Sequence, residues 1–69
     1  MKTPEQIVEQ ANRLAREFYR LSGYVVRDGY RFNKATHPQE QAMWCMARAA
    51  FIELADTDPE DALIELDEI

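Results

Sequence analysis

Apolar and polar residues recur along most of the chain at helical rather than strand spacing. In the first segment Ile7, Ala11, Leu14, Phe18 and Leu21 follow one another at steps of four, three, four and three residues. That spacing holds all five on one narrow helical face. Thr3-Pro4-Glu5-Gln6 supplies the start: Thr3 can cap the first free N–H groups, Pro4 suits the first helical position, and Gln6 completes a capping box. Gly23 supplies the stop, because it takes a left-handed conformation at little cost. The pattern predicts a helix over about 4–22, with Arg13, Arg16 and Arg20 opposite the stripe and exposed.

Residues 24–33, Tyr-Val-Val-Arg-Asp-Gly-Tyr-Arg-Phe-Asn, break the helical period. β-branched and aromatic residues flank Asp28-Gly29, a favoured two-residue hairpin turn. In that register Val25, Arg27, Tyr30 and Phe32 share one side. The competing expectation is an irregular loop pinned by Tyr30 and Phe32.

A second helix is expected over about 37–55, capped by Thr36 or His37, with Pro38 in its first turn. Met43, Ala47, Ala50 and Leu54 form its central stripe, flanked by Trp44, Met46 and Phe51. Cys45, Ala49 and Ile52 fall on the far side. A helix this apolar around its circumference is either central or covered by a partner. A third helix is expected over about 59–68. Asp58 caps it, Pro59 opens it, and Ala62, Leu63, Leu66 and Ile69 are its inward candidates. The expected fold class is mainly α: one small domain spanning 1–69, with three helices and a short β-hairpin or irregular loop between the first two.

With 69 residues, the chain buries only about 60% of its unfolded surface on folding, which leaves its stability thin. Cys45 is the sole cysteine, so no intrachain disulfide can compensate. A lone cysteine suits a reducing compartment. Met-Lys-Thr-Pro is followed by no apolar run, so no signal peptide is expected. The longest apolar run, Ala42 to Ala47, is far shorter than the roughly 18 residues of a membrane span. The expected location is therefore cytoplasmic.

The formal charge of −5 is unevenly spread. Residues 1–34 carry seven basic and four acidic side chains, and residues 35–69 carry one basic and nine acidic. Such asymmetry bears on partners rather than on fold.

Chemistry is scarce. Cys45 and His37 are the only nucleophile–base candidates, and they lie eight residues apart on one expected helix, about 12 Å along its axis. A working dyad needs contact near 3 Å. No pair of cysteines or histidines has metal-ligand spacing. The acidic residues lack the spacing of a calcium loop, and two glycines cannot make a phosphate-binding loop. No enzyme activity, metal or cofactor is expected.

The expected function is therefore a non-enzymatic protein–protein interaction module: an accessory, adaptor or inhibitory protein, of the kind that phages and mobile elements carry. Its candidate contact residues are Cys45, Ala49 and Ile52 on the second helix, with Tyr19, Arg13, Arg16 and Arg20 on the first. The first and third helices can cover the Met43 side of the second helix but are poorly placed to cover Cys45, Ala49 and Ile52. Only Val25, Tyr30 and Phe32 could do so from within the chain; otherwise a homodimer is the simplest cover.

Two alternatives involve nucleic acid. Arg13, Arg16, Arg20, Arg27, Arg31 and Lys34, interleaved with Tyr19, Tyr24 and Tyr30, could contact phosphates and stacked bases. The net negative charge argues against this. Conversely, the acidic run from Glu53 to Glu68 could imitate nucleic acid, although dipole complementation and solubility explain it as well. A helix-turn-helix is excluded, because its recognition helix would be acidic and would repel phosphates.

Overall fold

The computed structural model describes residues 2–67. Three helices form: α1 at Pro4–Leu21, α2 at Pro38–Ala55 and α3 at Pro59–Glu65. A short 3₁₀ turn at Phe32–Lys34 lies between α1 and α2, and there is no strand among the described residues. The protein is mainly α, as the periodicity predicts. α3 ends at Glu65, short of the expected end at 68: Leu66 is its C-cap and Asp67 turns into the left-handed region at φ 58°. Residue 68 itself and the inward candidate Ile69 lie outside the described residues.

The helix ends follow their capping chemistry. Thr3 and Gln6 form the reciprocal capping box of α1. At the other end the Gly23 N–H donates to the Arg20 carbonyl and the Tyr24 N–H to the Tyr19 carbonyl. With Gly23 at φ 95° this is a Schellman cap. Its accompanying side-chain contact is the stack of Tyr24 on Tyr19, with ring centroids 4.7 Å apart. His37 takes the N-cap position of α2 without a side-chain hydrogen bond. Asp58 caps α3 by accepting from the Glu60 N–H.

The core joins Val8, Ala11 and Ala15 of α1, Phe32 of the 3₁₀ turn, Met43, Trp44 and Ala47 of α2, and Ala62 and Leu63 of α3. α1 and α2 run antiparallel: Lys2 and Ala55 line one groove, while Tyr19, Val25 and Glu40 line a cleft at the other end. Alanines at 11, 15 and 47, all fully buried, let the two helices approach closely.

The packing turns α1 away from its expected face. Val8, Ala11, Asn12 and Ala15 are buried, whereas Ile7, Leu14 and Phe18 only flank the core and Leu21 is 70% exposed. The inward face is the small-residue side, and Asn12 lies on it, where its buried amide oxygen accepts from the Phe32 N–H and anchors the chain after α1. Arg16 is correspondingly half-buried rather than exposed. On α2, Met43 and Ala47 are buried as expected, but Leu54 projects past the packed region and is 87% exposed.

The hairpin register does not occur. Asp28-Gly29 does turn the chain, with Gly29 at φ 73° and the Tyr30 N–H donating to the Arg27 carbonyl. Yet Val25 is 89% exposed while Phe32 is fully buried, so the two do not share a side. Asn12 captures the Phe32 N–H, which a ladder would otherwise have used. Phe32 enters the core from an irregular segment, with Tyr30 packed edge-on against it.

Candidate interaction surface

The buried positions of α2 are Glu40, Met43, Trp44 and Ala47. At 100° per residue, the direction opposite them runs through Ala42, Cys45, Ala49 and Ile52, with Met46 and Glu53 alongside. All six are exposed. Ile52 and Met46 give this strip its apolar bulk, at 41% and 47% exposure. Cys45 carries a free thiol on it. The structure thus brings Cys45, Ala49 and Ile52 together on one outer face. Ala42 extends that face, as its steps of three, four and three to Ile52 would have indicated, and so does Met46, which the sequence pattern instead sets beside the central stripe.

The segment between α1 and α2 does not cover this strip. Phe32 is held against α1 by Asn12. The Tyr30 hydroxyl donates to Glu40 Oε1 at 2.7 Å, on the inner side of α2.

The four candidates on α1 do not join the same surface. Arg13 is exposed. Arg20 is committed to Glu17 through a 2.7 Å ion pair, which holds the Glu17 carboxyl below its ordinary value. Arg16 is half-buried, with its Nε shielded from solvent and without a hydrogen-bond acceptor. Tyr19 is clasped between the stacked ring of Tyr24 and the edge of Phe32. Burial, then the nearby Glu40 charge, raises its phenol pKa.

A polar cleft of about 420 Å³ was not anticipated. Tyr19, Val25, Arg27, His37, Gln39 and Glu40 line it. Glu40 is buried at its floor, accepting from Tyr30 and lying 3.5 Å from the Arg27 guanidinium. Arg27 also sits 4.6 Å over the Tyr30 ring. Burial and the bond to Glu40 push the Tyr30 phenol above its ordinary pKa. Every charged group on this floor is matched within the chain, so the arrangement acts as a clasp for the connecting segment. A lone glutamate in a helix's first turn reads from sequence as a dipole partner, and gave no sign of being buried. A smaller apolar groove, about 160 Å³, lies by Leu14, Phe51 and Leu54.

From the middle of α2, Arg48 makes a two-pronged contact with Asp58, at 2.8 and 2.9 Å, and Trp44 Nε1 donates to Glu60. These acids of the C-terminal half are therefore engaged in joining α3 to α2. Among the described residues, no group of three His, Cys, Asp or Glu is placed to hold a metal ion, and no helix is long and apolar enough to cross a membrane. No protein-family model, curated protein or solved structure matches the chain.

Proposed function

We propose that the protein is a non-enzymatic protein–protein interaction module, of accessory, adaptor or inhibitory type, and that the outer face of α2 is its docking surface. One observation carries the reading: an apolar strip from Ala42 to Ile52 faces solvent on the side of α2 opposite its buried residues. Apolar strips of this kind on small domains mark contact sites, since burying them gains roughly 25 cal/mol per Å². A cytoplasmic location suits the single thiol on that strip, which would stay reduced there. The nucleic-acid alternative has fewer cations to offer than the sequence suggested, because Arg20 and Arg27 already serve carboxylates.

The test is site-specific photo-crosslinking in source cells. A photoreactive side chain at position 49 should give protein adducts that resist nuclease and vanish with Ile52→Glu. The same group at Arg13, on α1, should give none of them. Adducts from Arg13 alone, or nucleic-acid adducts, would contradict the assignment.

A further inference from the structure

We propose that the occupant of this face is a second copy of the chain, docked with its α2 antiparallel to the first about a two-fold axis. The inference rests on the reading of the α2 outer face as a docking surface, and three features of that face select the occupant and its direction.

The first is shape. Ala42, Cys45, Ala49 and Ile52 follow the three-four-three spacing of a helix–helix seam. Three are small, so two such helices can approach closely. Among these four the bulk sits at one end, at Ile52, while Met46 stands beside the seam near its middle. An antiparallel pair sets Ile52 against Ala42 of the other copy, large against small, and Cys45 against Ala49, small against small. A parallel pair would set Ile52 against Ile52 and leave a gap at Ala42.

The second is charge. No acidic residue occurs between positions 29 and 39, and Lys34 stands exposed just before α2. No basic residue occurs from position 49 onward, and Glu53 and Asp56 stand exposed at the end of α2. Glu53 and Asp56 make no ion pair among the described residues. Antiparallel docking brings the basic end of one copy to the acidic end of the other and opposes the helix dipoles favourably. Parallel docking would bring like charges together.

The third is area. An 18-residue helix is about 27 Å long, and pairing along one face buries on the order of 900 Å² in total. That is the low end for a specific interface. A closed two-fold pair is the commonest way to bury such a strip, and this one should dissociate on dilution.

Sedimentation equilibrium over a wide concentration range reads the mass. The native chain should move from its 8.1 kDa monomer mass toward twice that value as concentration rises. Ile52→Glu should hold the monomer mass with an unchanged circular dichroism spectrum, since Ile52 is not one of the residues of the monomer core. Direction is read by disulfide trapping. Under mild oxidation, the native chain mixed with a Cys45→Ala/Ala49→Cys chain should give a mixed covalent dimer, and neither chain alone should cross-link efficiently. In the antiparallel pair the two native Cys45 residues lie about 6 Å apart along the helix axes, too far out of level to bridge well. Ready Cys45–Cys45 bridging in the native chain would overturn the antiparallel arrangement. A constant monomer mass would overturn the dimer. If that mass came with Ile52-dependent adducts at position 49, the docking surface would survive with a different occupant; without adducts, both would fall.

Discussion

The backbone N–H of Phe32 donates to Oδ1 of Asn12 across 2.6 Å, and this bond decides how the chain between α1 and α2 is laid down. The Asn12 amide nitrogen donates in turn to the Val8 carbonyl and to Asn33 Oδ1. One buried side chain therefore satisfies a backbone donor, a neighbouring side chain and its own helix. Phe32 is held in the core, and the connection is kept off the outer face of α2.

Asn12→Ala should destabilise the fold by about 2–3 kcal/mol, through a buried N–H left without an acceptor and a small cavity. A domain of this size has roughly 3–10 kcal/mol in total, so the loss is large. Urea unfolding followed by circular dichroism measures it. A loss under about 0.5 kcal/mol would show that Asn12 is not the anchor.

Arg16 and Arg20 should differ. Arg20→Glu breaks only an exposed pair with Glu17 and should leave stability nearly unchanged. Arg16→Glu places a carboxylate where the side chain is half-buried and should lower stability by about 1–2 kcal/mol. Equal effects in thermal melts would mean that α1 presents the face its bulky apolar residues suggested.

That face is where the sequence misled, for a physical reason. Helix existence, the three starts and the end of α1 were legible, because Thr3, Pro4, Gly23, Pro38, Asp58 and Pro59 act locally through backbone hydrogen bonding and dihedral preference; the end of α3, at Glu65 rather than 68, carries no such residue. The rotation of α1 was not, because Asn12 and the alanines beside it look like surface residues until a distant N–H, that of Phe32, needs an acceptor. Glu40 was missed similarly: its burial depends on Tyr30 and Arg27 arriving from another segment. Of the candidate surface, Cys45, Ala49 and Ile52 were legible by elimination, since two other helices cannot surround a third.

Acid should weaken the junction of α2 and α3. The Arg48 hydrogen bond, followed by the N–H of Glu60, holds the Asp58 carboxyl below its ordinary value of 3.8. The pair therefore stabilises the fold fully above that value, and the contribution is lost as pH falls through the lower folded pKa. Arg48 is partly exposed, so solvent screening keeps the effect small. Asp58→Asn keeps a good cap and removes the ion pair. Unfolding from pH 6 down to about pH 2 should show a smaller acid loss in this variant than in the native chain, whereas parallel curves would rule the pair out as a contributor.

Asp56 ends α2 in the left-handed region, at φ 51°. It also sets a negative charge at the negative end of the helix dipole. Asp56→Gly should raise stability by about 0.5–1 kcal/mol, as glycine takes this conformation without strain. A lower melting temperature would mean that the carboxylate does something there that the backbone geometry does not explain.

The central claim, that the outer face of α2 is covered by a partner when the protein works, can be read at the Cys45 thiol. The measurement is its alkylation rate inside source cells, compared between the native chain and Ile52→Glu at equal expression. Cys45 is exposed in the isolated chain, so its protection reports a cover from outside. The native thiol should react several-fold more slowly than that of the variant, with both rates equal in dilute purified protein. Equal rates inside the cell would contradict the account.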